Sequence, residues 1–353
     1  MADLAWLIRE HMGEDAEVLE RDSAAISNAR AAAGLLRGGL DPRQVTAAVR
    51  RTGARVVHAH NTAPTLGWRA LAAARAAGAR VVLHLHNYRL VCAVGTCFTR
   101  GEDCTRCHGR NTWPGVRLNC RGGSRAEAAA YGAGLALWQR RLAGCADALV
   151  VPSAFALGRL RELGAPLGDR ARVVASVQRS FAIRSNAADG RYVLATGRLS
   201  PEKGFADAID ACRRAGLPLV VAGDGPHAAA LKARAAGADV RFTGRLPPDA
   251  LADLRAGAAT AVVPSRYAEI LPLAALEAMA AGLPVVAARA GGLAEAVPDE
   301  GLYPTGDVDA LAERLRALWR SAAAGDRALT AVKARTAPSV VAAALADVYG
   351  PRP

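Results

Sequence analysis

Apolar residues recur along this chain in short continuous runs, each followed by a Gly-rich or polar turn and then by an Ala/Leu pattern of helical spacing. The runs fall at 56–60, 81–87, 148–153, 192–198, 219–225, 240–244, 261–265 and 284–288. Alternation of such runs with helical patterns predicts βαβ units, and their unbroken hydrophobicity predicts parallel strands covered by helices on both faces. The expected fold class is therefore α/β. A length of 353 residues exceeds one ordinary core and points to two doubly wound, Rossmann-like domains. Periodicity lapses over 178–190, so the domains are expected at 1–180 and 190–335, with 336–353 forming a helix that packs back toward the first. Ligands of such sheets sit at strand carboxyl ends, which makes the cleft between two domains the expected site. The start is unusual: Leu4, Leu7, Ile8 and Met12 have helical spacing, and the first strand candidate comes only at 16–22. A doubly wound domain normally opens with a strand, and here that first strand is expected to be missing.

Composition narrows the class. With 52% hydrophobic and 22% charged residues the chain can bury a sizeable core, which excludes a disordered or collagen-like protein. The longest run without a charged residue is 13 residues, Val56 to Trp68, too short to span a bilayer, and no secretory pattern opens the chain. A cytoplasmic protein is expected. The net charge of +13 is uneven, +12 over residues 1–185 and +1 over the rest. Such asymmetry suits an anionic partner, whether phosphorylated substrate, membrane surface or nucleic acid; an Arg-rich bacterial composition explains it equally well. Only Lys203, Lys232 and Lys333 are lysines, so each is a rare choice.

The segment 263–288 carries the sharpest local signal. Pro272 suits a first helical position, Gly282 and Pro284 mark the stop, and the helix is expected over about 272–281. Its interior is apolar except for Glu277, which should be buried and need a partner. The N–H groups of Leu273 and Ala274 at the positive helix end could hold a phosphate, with Glu277 one turn along accepting from the hydroxyls of an attached ribose. Glu269, just before the helix, could reach a second hydroxylated group. The plainer reading makes Glu269 a solvated loop acid and Glu277 a core acid. The turn 197–204, GRLSPEKG, follows the strand that opens the second domain; there Arg198 and Lys203 can converge on one diphosphate.

GRLSPEKG, VVAGDGP at 220–226, VRFTGRL at 240–246 and the Glu269/Glu277 pair in an LEAMAAGLPVV context resemble the retaining nucleotide-sugar glycosyltransferases of family 4, with the GT-B fold, over residues 3–350. The resemblance implies that Arg198 and Lys203 neutralise the donor diphosphate, Glu277 binds the ribose, and Glu269 contacts hydroxyls of the transferred sugar. It also matches His86 to a histidine near the reacting sugar. Positioned cations and a helix N-terminus stabilise the leaving diphosphate, so no catalytic divalent metal and no side-chain general base are expected. Such enzymes open with a strand and a Gly-rich turn that this sequence lacks at its start; the alternative is a catalytically weak or inactive sugar-nucleotide-binding protein. His60 and His84 read as ordinary core or turn histidines. No P-loop occurs. GDGPHA at 223–228 fits the dinucleotide fingerprint, but no acid sits near Thr243 to hold a ribose.

Five of the seven cysteines crowd into 92–120. Without a signal peptide this density favours a metal over disulfides, and Cys92, Cys104, Cys107 and Cys120 could close a tetrahedral structural zinc site. A subset of the same glycosyltransferases carries a similar Cys-rich insertion, and those four positions match it, leaving Cys97 over. Cys104 to His108 also spells a c-type haem attachment sequence, which requires export. The arginines of this loop, Arg89, Arg100, Arg106, Arg110, Arg117, Arg121 and Arg125, could present an anionic or lipid-linked hydroxyl acceptor and touch a membrane surface, or simply be solvated. Nucleic acid is disfavoured, because the basic half has few aromatics near its arginines and no recognition-helix pattern.

Overall fold

The computed structural model describes residues 1–351 except 23–24 and 122–123; Arg352 and Pro353, at the end of the expected segment 336–353, also lie outside the described residues. The chain forms two compact units, the first comprising Met1–Thr99, Cys104–Ala175 and the stretch from Val341 onward, the second Arg100–Asp103 and Ser176–Val340. Both are α/β with parallel sheets.

In the first unit, β1 (Val56–His60), β2 (Arg80–His84), β5 (Ala148–Val151) and β6 (Ala171–Val173) form a four-stranded parallel sheet in the order β1-β2-β5-β6. Two-residue strands β3 (Phe98–Thr99) and β4 (Glu102–Asp103) lie in the Cys-rich loop. All four residues of β5 are buried, as are the last four of β2, in keeping with helices on both faces. The longest helix, Arg125–Gly144, is started by Ser124, whose hydroxyl accepts from the N–H groups of Ala126 and Glu127. The expected opening helix is present at Ala2–Met12. The strand expected at 16–22 does not form. Its charges are used as ties instead: Glu17 pairs with Arg51 at 2.6 Å and Arg21 donates to the carbonyls of Leu40 and Asp41, while Glu14 just before it pairs with Arg55 at 3.0 Å. A strand needs a neighbour's ladder, and this segment has none.

The second unit holds β7 (Val193–Thr196), β8 (Leu219–Ala222), β9 (Val240–Gly244), β10 (Thr260–Val263), β11 (Val285–Ala288) and β12 (Leu302–Tyr303). The sheet order β9-β8-β7-β10-β11-β12 is that of a Rossmann domain, with its reversal between β7 and β10. Alternate residues of each strand feed two cores. Val193, Val221, Val262 and Val286 pack with Phe205, Ile209, Leu311 and Leu315 on one face, and Leu194, Val220, Val263 and Val285 pack with Leu276, Met279 and Val332 on the other. Two-sided burial explains why these strands read as unbroken apolar runs. The loops after β7 and β8 lie close together at Gly223, φ +148°, where a Cβ would meet the Gly197 carbonyl oxygen at 1.9 Å. The glycines of the apparent dinucleotide fingerprint thus serve loop packing.

Among the described residues no helix is long and apolar enough to cross a membrane.

Candidate functional site

A Rossmann order places the ligand crevice outside the carboxyl ends of the two strands at the reversal, here β7 and β10. The turn 197–204 follows β7 and the loop 264–272 follows β10, and they bring together residues 66 positions apart. Lys203 Nζ donates to Glu269 Oε1 at 2.6 Å. The same oxygen accepts from Ser265 Oγ at 2.6 Å, and Oε2 accepts from Tyr267 Oη at 2.7 Å. Glu269 is only 3% exposed, so the solvated-acid reading fails and the carboxylate is held by three donors. Its backbone is fixed as well: Gly292 N–H donates to the Glu269 carbonyl at 2.6 Å, and a Cβ on Gly291, φ +58°, would come within 2.5 Å of that oxygen.

The loop itself is clamped by a pair outside the candidate residues singled out above. Arg266 makes a two-pronged contact with Asp207 of the helix Phe205–Ala215, Nε to Oδ2 at 2.7 Å and Nη2 to Oδ1 at 2.6 Å, and Asp207 is 3% exposed. The carboxylate raises the Arg266 pKa above its ordinary value, its hydrogen bond being the main cause. Asp207 falls in an amphipathic helix, where its spacing alone marks an inward-facing acid beside Ala208 and Ala211.

Three expectations change here. Arg198 is turned outward, 64% exposed, and donates to Glu202 Oε1 at 2.6 Å, so it and Lys203 engage different carboxylates. Glu277 is not buried among aliphatic residues: its side chain is 39% exposed and it pairs with Arg255, because it shares the outward face of the helix with Leu273 while Ala275, Leu276, Ala278 and Met279 face the core. The helix runs Leu273–Ala280 with Pro272 as its cap. Leu273 N–H donates to the Leu271 carbonyl at 3.1 Å, whereas Ala274 N–H occupies a position for which a helix supplies no internal acceptor.

The first unit presents a different surface. His58 and His60 alternate on β1, and His84 ends β2 directly opposite His60; with His86 their rings form a contiguous stack. His60 Nδ1 lies 2.6 Å from His86 Nε2, and His58 is held between Tyr349 Oη at 2.7 Å from Nδ1 and His84 Nδ1 at 3.2 Å from Nε2. Burial lowers the pKa of His58 to about 3 and that of His60 to about 2, with neighbouring imidazoles and the terminal ammonium adding repulsion. His84 is lowered for the same reasons. His86 keeps the most open position, yet the atoms packed around its ring bring it down to about 4. His60 and His84 are thus members of a cluster that their spacing along two strands could have revealed.

Beside these rings lies an open pocket walled by Trp68, Trp138, Tyr131, Leu85 and Leu90, with His86 at its lining. Trp68 Nε1, His84 Nε2 and Arg89 Nε, all lining it, are buried without a hydrogen-bond partner.

The Cys-rich loop gathers Cys92, Cys97, Cys104, Cys107 and Cys120 around one small cavity, so Cys97, left over in the sequence reading, lines it with the rest. A hydrogen bond from the Cys97 thiol, helped by backbone N–H groups, lowers the Cys92 pKa to about 6, while burial and the neighbouring sulphurs push Cys107 up to about 11. Among the described residues, the group of three or more potential metal ligands whose donor atoms all lie within 4.8 Å of one another is His58, His60 and His84; the thiols surround their cavity more loosely.

Residues 9–176 match a glycosyl transferase 4-like domain and residues 190–321 match the glycosyl transferases group 1 domain. A sulfoquinovosyl transferase of Arabidopsis thaliana is 38% identical over 135 residues, 36% of this chain and 26% of its own length. A GDP-mannose-dependent phosphatidylinositol dimannoside mannosyltransferase of Mycobacterium tuberculosis is 33% identical over 187 residues, 49% of each chain. The aligned stretches thus span a quarter to a half of these relatives. In fold, the chain is similar to the sucrose-phosphate synthase of Thermosynechococcus elongatus, with TM-score 0.63 at 19% identity, covering 95% of this chain and 85% of that one. It is likewise similar to Anabaena HepE bound to UDP, with TM-score 0.59 at 19% identity, covering 86% and 80%.

Proposed function

We infer from two domains that together indicate a family 4 glycosyltransferase of GT-B fold that this chain moves a sugar, with retention, from a nucleoside-diphosphate sugar to a hydroxyl acceptor. The observation that carries this reading is the Lys203–Glu269 pair at the carboxyl ends of β7 and β10, braced by Ser265, Tyr267 and the Arg266–Asp207 clamp. A diphosphate arriving there offers Lys203 a more highly charged partner than one carboxylate, and Arg198, exposed on the same turn, is free to swing toward it. Ala274 N–H at the start of the helix adds a donor, and Glu277, partly exposed on that helix, exchanges its Arg255 contact for the ribose hydroxyls. Glu269 accepts from hydroxyls of the sugar, and His86, with its ring neutral at pH 7, orients the sugar without carrying charge into the site. The developing charge on the departing diphosphate is met by the cations, and its phosphate oxygen takes the acceptor's proton. Structural neighbours solved with UDP support a nucleotide donor.

The aromatic pocket beside His86 suits an acceptor with a large apolar body, and the surrounding arginines suit an anionic or lipid-linked one. The thiols around the loop cavity are the right donor set for a structural zinc held by Cys92, Cys104, Cys107 and Cys120, which would staple the loop.

Thermal shift with UDP, GDP, dTDP and ADP tests the donor side: one base should raise the melting temperature, and that base's sugar donors should then be hydrolysed slowly in the absence of acceptor. No shift with any nucleotide overturns the assignment. Co-sedimentation with anionic and neutral vesicles tests the acceptor side, and equal binding to both removes the membrane contact.

A further inference from the structure

We propose that His58, His60 and His84 form a binding site for one divalent transition metal of the zinc, cobalt or nickel kind. The sheet itself builds the arrangement. Side chains two positions apart on a strand share a face, which puts His58 and His60 together on β1, and the parallel register sets His84 of β2 opposite His60. The ring centroids confirm the shared face, at 4.7 Å for His58–His60, 5.3 Å for His58–His84 and 5.1 Å for His60–His84. One nitrogen from each ring lies within 4.8 Å of the others. Metal–nitrogen bonds of about 2.0–2.1 Å in a tetrahedron separate ligand atoms by roughly 3.3 Å, so rotation about the side-chain torsions closes the remaining gap. Three ligands on one face leave a fourth position for water.

Two further observations point to a ligand. His84 is 8% exposed and its Nε2 has no hydrogen-bond partner, a deficit that a coordinating ion removes, directly or by re-aiming the ring. Tyr349 Oη meets His58 Nδ1 at 2.7 Å, which orients the ring and leaves Nε2 facing the cluster, the outer contact that metal-ligating histidines usually have. The donor set is wholly imidazole, which suits zinc, cobalt, nickel or copper and not magnesium or calcium. The site is separate from the thiol cavity and does not depend on the glycosyltransferase reading.

The test is titration of the chain, stripped with EDTA and carrying no oligohistidine tag, with Co²⁺ followed by absorption. One ion should bind with the visible bands of a four-coordinate nitrogen and oxygen site and without a sulphur-to-metal charge-transfer band. Any ion taken by the cysteines shows that band in every variant and is counted apart. His58→Gln and His84→Gln, checked for folding by circular dichroism, should each weaken the nitrogen-only site at least tenfold. Tyr349→Phe should weaken it by about 10- to 100-fold, and His11→Gln, on an exposed helix face, should leave it unchanged. If His84→Gln fails to fold, His58→Gln, on the edge strand, decides alone. Absence of nitrogen-only binding to the folded wild-type chain overturns the proposal, as does binding that the histidine substitutions leave intact.

Discussion

The two units treat the polar side chains near their strand ends in opposite ways. Around β7 and β10 the charges satisfy one another: Lys203 with Glu269, Arg266 with Asp207, Arg255 with Glu277, Arg198 with Glu202. Around β1 and β2 the groups are mostly neutral imidazoles and aromatics, and three of the five buried, partnerless side-chain atoms among the described residues, Trp68 Nε1, His84 Nε2 and Arg89 Nε, line that one pocket. A set of matched charges is preorganised and must be competed for, so it favours a ligand that carries more charge than the carboxylate it displaces. A set of orphaned polar groups instead gains from any ligand that supplies the missing contacts.

This contrast can be broken, beginning where the effect should be largest. Arg266→Ala strands the Asp207 carboxylate in the core and should cost about 3–5 kcal/mol, read as a lowered denaturation midpoint, with Arg266→Lys recovering part of it. Lys203→Ala leaves the buried Glu269 carboxylate with only the Ser265 and Tyr267 hydroxyls as donors, so it should lower the denaturation midpoint, though less than Arg266→Ala. It should also lower turnover of the nucleotide-sugar donor by about 10²–10³, because one preorganised cation is gone; a loss confined to stability would mean that Lys203 merely neutralises Glu269. The histidine face sharpens the other half. Burial holds its imidazoles neutral in the fold while the unfolded chain protonates them near 6.5, so the unfolded state binds more protons below that pH and stability must fall as pH falls. At pH 5 the cost in the metal-free chain is about 2 kcal/mol for each buried ring, measurable by thermal melts between pH 8 and 5, and a flat profile would show the rings to be solvated. The smallest effect belongs to Arg198→Ala: an exposed pair with Glu202 is worth less than about 1 kcal/mol, so stability should barely move while donor KM rises.

Much of the second unit was legible along the chain. Its strands are unbroken apolar runs because both faces are covered, and the positions of Lys203 and Glu269 follow from which turns lie after which strands. Other features were not. The reversal between β7 and β10 is a matter of strand order, which no local pattern states, and without it Lys203 and Glu269 are merely two charges 66 residues apart. Glu277 misled because seven apolar neighbours suggest burial, whereas one residue in a helix can face outward between two that face in. The segment 16–22 offered a strand candidate but had no ladder to join, and its charges are engaged elsewhere, Glu17 by Arg51 and Arg21 by the carbonyls of Leu40 and Asp41.

Sequence alone determined the α/β class, the parallel strands, the Cys-rich loop and the turns that carry the charged residues, since each depends on period or spacing within a few residues. Only tertiary structure decided which of those residues meet. Register set His84 against His60, strand order set Lys203 against Glu269, and packing turned Arg198 and Glu277 toward solvent. Local pattern fixes the direction in which a backbone presents its side chains, but the partner each one finds depends on distant chain brought alongside, and that is a property of the whole fold.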